Sequence, residues 1–169
     1  MKKWLLCLLA VIMVLPLAAC SVDVKTASDK EFSSNGMKIT LTSAFRESQA
    51  EGYTAVYDSS EVAVIGLREP YSVAAQLEDM TLSEYADIVY QNNASKSPKP
   101  ITTVDGLTVM EFEFHNDELD KDYSYFTVML KGEDCFWMIQ FASETNNYEE
   151  CKPYFIKWAK SITLTPFAE

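Results

Sequence analysis

The chain has 169 residues, 48% of them hydrophobic, and carries 14 Lys+Arg against 25 Asp+Glu for a net charge of −11. That length suits one domain with enough interior to fold without staples. The acidic balance excludes a nucleic-acid partner, which needs basic surface to displace counterions, and argues against the body lying flat on anionic lipid.

The N-terminus opens with Met1-Lys2-Lys3, and Trp4 to Ala19 then runs without a charge. This run is shorter than the roughly 20 apolar residues of a membrane span. It suits the apolar region of a secretory signal, which ends in small residues. Leu17-Ala18-Ala19-Cys20 resembles the bacterial lipobox. That resemblance implies cleavage before Cys20 and lipidation of its thiol with acyl chains such as palmitate. Two acyl chains suffice for stable anchoring where one is marginal. Residues 1–19 are thus read as signal peptide, 20–35 as lipidated N-terminus and tether, and 36–169 as the folded domain. Ser21 to Asn35 is polar and aperiodic, and a coil of that length spans about 20 Å at roughly 5–6 Å × √n.

Strong signals begin at Gly36. Met37 to Phe45 alternates as a strand, and Tyr53 to Leu67 holds two β-rich runs around Asp58-Ser59-Ser60, a hairpin pattern. The period then becomes helical. Thr81-x-x-Glu84 has the form of a capping box, followed by Leu82, Tyr85, Ala86 and Val89 on one face. Asn92, Asn93 and Pro98 end that helix. Asp105-Gly106 between apolar runs marks a tight hairpin, with Met110, Phe112 and Phe114 on one face of the second strand and Glu111 and Glu113 on the other. Tyr123 to Leu130 and Cys135 to Ser143 are two further strands.

The strand from Cys135 is apolar on both faces. Cys135, Trp137, Ile139 and Phe141 point one way; Phe136, Met138 and Ala142 point the other. A strand oily on both sides must be covered on both sides. The expectation is therefore an α+β fold: a three-layer α-β-α sandwich around a central, mainly antiparallel sheet. The final helix, capped by Asn146 or Asn147, covers one face with Tyr148, Cys151, Phe155 and Trp158. Ile162 to Leu164 is an edge-strand candidate.

No catalytic constellation emerges. There is no G-x-S-x-G elbow and no clustered glycine loop, and His115, the sole histidine, opens a polar loop. Glu111 and Glu113 share one strand face without a cleft, so they read as a polar sheet face or a contact with an overlying helix. Glu118, Asp120 and Asp122 resemble the start of a calcium loop, but Tyr123 and Met129 stand where its glycine and bidentate glutamate belong. They are the weak candidates for a metal site. No cofactor is expected. Cys135 and Cys151 stay open between a disulfide, which an exported compartment permits, and two buried thiols.

The order of elements, with the Gly36-Met37-Lys38-Ile39-Thr40-Leu41 strand, the Thr81-Leu82-Ser83-Glu84-Tyr85-Ala86 helix start and the Phe136-Trp137-Met138-Ile139-Gln140-Phe141 strand, resembles the PsbP-like fold, including DcrB-type bacterial lipoproteins. The C-terminal Phe155-Ile156-Lys157-Trp158 helix fits as well. The resemblance implies a non-enzymatic accessory or binding module, anchored through Cys20 at the extracytoplasmic face of a cell membrane (the outer membrane where the source has one). The expected partner is an envelope protein. The alternative is a lipoprotein that binds a small ligand or divalent cation.

Overall fold

The structure is a computed structural model and describes residues 23–167. The signal region and Cys20 lie outside the described residues. The described chain forms ten strands and three α-helices in the order β1 (Asp29–Ser34), β2 (Met37–Thr42), β3 (Arg46–Ser48), β4 (Ala55–Asp58), β5 (Val62–Pro70), α1 (Gln76–Asp79), α2 (Leu82–Asn92), β6 (Thr102–Val104), β7 (Leu107–Asn116), β8 (Lys121–Lys131), β9 (Cys135–Glu144), α3 (Tyr148–Lys160) and β10 (Thr163–Leu164). Seven strands make one antiparallel sheet in the order β3-β4-β5-β9-β8-β7-β6. A smaller sheet, β1-β2-β10, stands apart from it.

The central strand β9 explains the layering, because its period of two sends alternate side chains to opposite faces. Cys135, Trp137, Ile139 and Phe141 enter one core with Phe155 and Trp158 of α3 and with Ile39 and Leu41 of β2. Phe136 and Met138 enter a second core with Tyr85, Ala86 and Val89 of α2. Helices therefore cover both faces, as expected, and the small sheet shares one face with α3. Each fully buried aromatic or aliphatic side chain contributes about 1.5–3 kcal/mol, so the two sides of β9 anchor the fold.

The capping box at α2 forms as the sequence indicates. The Thr81 hydroxyl accepts from the Glu84 amide at 3.2 Å, and the Glu84 carboxylate accepts from the Thr81 amide at 2.8 Å. Asp105 and Gly106 take φ of +51° and +85°, the left-handed pair that a two-residue hairpin demands. Asn147 does precede α3, but its side chain makes no capping bond. A 3-10 turn over Thr145–Asn147 runs straight into the helix, leaving Asn147 with helical backbone and not the extended backbone of a capping residue.

Two expectations are corrected. The stretch read as tether is largely folded: β1 pairs antiparallel with β2 across Asn35-Gly36, whose φ values of +44° and +86° make another tight turn. The ordered chain reaches further still, because Val24 is fully buried in the α3-side core. Met37 to Thr42 and Thr163–Leu164 belong to the small sheet and not to the central one.

Candidate functional site

One end of the sheet carries a pocket. At this pole β5 finishes at Pro70 and the chain makes a 3-10 turn over Tyr71–Val73. The β8–β9 turn, residues 132–134, lies directly beside it, with the Tyr71 amide donating to the Asp134 carbonyl at 2.9 Å, and Phe167 of the segment after β10 meets Arg68 and Asp134. Together they border an open depression of about 370 Å³ lined by Arg68, Tyr71, Ser72, Glu133, Asp134 and Phe167, with Glu78 of α1 at its side.

Arg68 organises this pocket. Its side chain is only 5% exposed and pairs with Asp134, Nη2 to Oδ2, at 2.6 Å. The same nitrogen donates to the Phe167 carbonyl at 3.2 Å, while the Phe167 amide donates to Asp134 Oδ2 at 2.8 Å. The guanidinium also lies 5.7 Å from the Phe167 ring centre. One carboxylate thus ties β5, the β8–β9 turn and the C-terminal segment together. Partial burial works to raise the Asp134 carboxyl, but the Phe167 amide, the Cys135 thiol and Arg68 outweigh it and hold it below its ordinary value. Tyr71 donates its hydroxyl to the Gly132 carbonyl at 2.8 Å. Burial, then Cys135, Asp134 and Glu78, raises that hydroxyl above its usual value.

Phe167 in the lining is 39% exposed, and Val73, the residue after Ser72 in the 3-10 turn, is 60% exposed; they are two of the three large hydrophobic side chains left exposed among the described residues. With Asp134 neutralised by Arg68, Glu78 and Glu133 leave the lining net acidic. Such a lining is complementary in charge to a cationic group. It presents no nucleophile paired with a base.

On the α2 side, beneath the same pole, Glu69 is buried at 4% exposure. Its Oε2 accepts from the Tyr85 hydroxyl, and its Oε1 has no hydrogen-bond partner among the described residues. Burial raises this carboxyl, and the Tyr85 bond only partly offsets that. Tyr85 itself stacks on Phe136 with ring centres 4.2 Å apart.

The residues singled out from sequence are dispersed. Cys20 lies outside the described residues. Glu118, Asp120 and Asp122 do not converge as cation ligands. Asp122 instead bonds His115 Nδ1 at 2.8 Å, while Asp117 and Asp120 approach Nε2 at 3.7 and 3.8 Å. The Asn116 side chain accepts from the Glu118 and Leu119 amides and shapes the turn. The imidazole lies among these carboxylates, and no metal-ligating group of three or more side chains occurs among the described residues. The Asp122 bond, then the surrounding acidic charges, raises His115 above its ordinary value. Glu111 meets the overlying helix: it accepts from the Tyr148 hydroxyl and lies 3.0 Å from Lys152 Nζ. Glu113 is exposed.

Cys135 and Cys151 are separate buried thiols. Cys151 bonds Ser143, near the far end of β9 from Cys135. Eight residues of strand at about 3.3 Å each separate them by ~26 Å, whereas bridged cysteines need Cα atoms within about 6.8 Å. The disulfide is excluded by position. Burial first, then Asp134, pushes the Cys135 thiol up to about 11, which disfavours the reactive thiolate.

The sequence reading did not pick out Arg68, Tyr71, Asp134 or Phe167. One signal was available: Arg68-Glu69 interrupts an apolar strand at positions that a sheet covered on both faces must bury.

The sheet order, the helices on both faces and the small accessory sheet define a PsbP-like fold. Among solved structures, cyanobacterial PsbP (CyanoP) from a Synechocystis species matches with a TM-score of 0.54 at 12% identity, covering 89% of this chain and 99% of that one. A Bacteroides thetaiotaomicron protein matches with a TM-score of 0.50 at 10% identity, over 80% of this chain and 48% of that one. LpqN of Mycobacterium tuberculosis, described as involved in cell envelope biogenesis, gives 0.46 at 8% identity over 85% of this chain and 95% of that one, a likeness too slight to carry argument. At these identities the likeness is one of fold. No protein-family model matches the chain, and no curated protein matches it.

Proposed function

We propose that this chain is a non-enzymatic accessory module of the bacterial envelope, a DcrB-type lipoprotein anchored through lipid on Cys20. It docks a partner protein at the Arg68–Asp134 pocket. The supporting observation is the conjunction at one pole of an open depression of about 370 Å³, an acidic lining that includes the exposed Phe167, and the exposed Val73 in the adjoining turn. Interface anchors are typically apolar or aromatic groups seated in such pockets within a polar rim. The partner segment that fits presents a lysine or arginine with apolar neighbours. Among the described residues no helix is long and apolar enough to cross a membrane.

The test is a photo-crosslinking amino acid placed at Val73 in intact cells, with the exposed Glu51 as control position. A discrete adduct at Val73 that disappears in the Glu133→Lys variant supports docking at the pocket. Equal labelling at both positions, or an adduct indifferent to the charge reversal, refutes it.

A further inference from the structure

If Cys20 carries lipid, the leash between membrane and domain is only a few residues long. Val24 is 0% exposed in the α3-side core, and Lys25 pairs with Glu150 at 2.7 Å. The Thr26 and Ala27 amides close a turn on the Asp23 carbonyl at 3.2 and 3.1 Å. Four residue steps lead from Cys20 to Val24, and at most ~3.6 Å per step gives a reach of about 14 Å. That is shorter than the domain itself.

The point of attachment is also off-centre. Lys25 feels the charges of Glu150, at the start of α3, and Glu61, in the β4–β5 turn. Cys151, the next residue of α3, bonds Ser143 near the end of β9. The β7–β8 hairpin reaches the same pole, because Tyr123 pairs with Glu144 and the strands continue beyond it to the Asn116–Lys121 pair. Cys135, at the other end of β9, adjoins the pocket. Nine residue steps at about 3.3 Å place the two poles ~30 Å apart.

We infer that the domain is held against the bilayer by the pole formed by Val24, the β4–β5 turn and the β7–β8 hairpin, so that the Arg68–Asp134 pocket points away from the membrane. This orientation rests on the proposed lipidation of Cys20. The leash sets it. The pole's own acidic side chains, Glu61, Glu150 and the aspartates around His115, do not attract anionic lipid. The pocket is then offered to the soluble part of a partner and not to a segment buried in the bilayer.

The full lipidated chain, reconstituted in phosphatidylcholine vesicles with nitroxide-labelled headgroups, tests this. A fluorophore is attached through Asp117→Cys at the leash pole or Glu133→Cys at the pocket pole; Cys135 and Cys151 are too buried to compete. The expected result is loss of fluorescence at 117 and none at 133, with the contrast abolished by a 15-residue Gly-Ser insertion after Ser21. Equal quenching at both positions, stronger quenching at 133, or a contrast that survives the insertion overturns the orientation while leaving the anchor intact. A Cys20→Ala chain that stays on the vesicles as well as the parent shows instead that the lipid reading itself has failed, and the orientation falls with it.

Discussion

Gly36 offers a controlled measurement of how the C-terminal segment holds the pocket. Its φ of +86° is nearly that of Gly106, at +85°. A β-carbon at left-handed φ costs about 1–2 kcal/mol at either place. The surroundings differ. At Gly106 an added β-carbon meets nothing within 4 Å, whereas at Gly36 it would stand 2.3 Å from the Thr165 carbonyl oxygen and 3.0 Å from Phe167 Cβ. Relieving that clash pushes the 165–167 segment away and gives up the Thr165 amide bond to the Gly36 carbonyl, 2.7 Å long. A lost bond of this kind costs a further ~0.5–1.5 kcal/mol. Gly36→Ala should therefore lose about 1.5–3.5 kcal/mol in urea titrations of the chain lacking residues 1–20, against about 1–2 for Gly106→Ala. In a domain this size each kcal/mol lowers the melting temperature by roughly 2–4 °C. Equal losses at the two glycines would refute the claim that the C-terminal segment is fastened at Gly36.

Four other outcomes are expected. Glu69 is raised by burial, so the folded chain binds more protons than the unfolded one above the ordinary carboxyl value of 4.5, and stability falls as pH climbs through that window. Glu69→Gln keeps an acceptor for Tyr85 without the buried charge, so chemical denaturation across pH should show its advantage over the parent growing from acid to neutral. The single histidine resonance in an NMR titration should have a midpoint above 6.5, and Asp122→Asn should lower it. Because the folded value is raised, any stability from His115 is complete below its unfolded value and is lost as pH rises through the folded one. Thr81→Ala removes the α2 cap and should cost about 1 kcal/mol in the same urea assay. Thiol titration of the denatured chain lacking residues 1–20, purified without reductant, should find both Cys135 and Cys151 reduced.

Much of the fold was legible because local rules agreed with one another. The faces of β9, the capping box at Thr81, the Asp105-Gly106 turn and the oily stripe of α3 each follow from a period or a short motif. The N-terminal hairpin was legible too, yet it reads as tether on composition alone. β1 has one buried apolar residue, Phe32, among polar and charged neighbours, and the Asn35-Gly36 turn was the stronger clue. The pocket was of another kind. Asp134 and Phe167 are 33 positions apart, and Arg68 and Phe167 are 99. No periodicity brings them together; only the closed sheet does. The acidic string Glu118, Asp120 and Asp122 misled for the opposite reason. It matched a ligand spacing, while the hairpin's pairing placed His115 opposite Asp122 and used the carboxylate there.

The central sheet ends in β3 and β6, each only three residues long and mostly exposed. The outermost strand of the small sheet carries Lys30 and Glu31. Short or charged borders give an incoming strand few backbone groups in register and make it bury charge. If the chain is held at a membrane as proposed, where neighbours share one plane and collide often, this is protection against polymerisation through backbone pairing. It also means that a partner gains little by extending either sheet, so recognition falls to side chains.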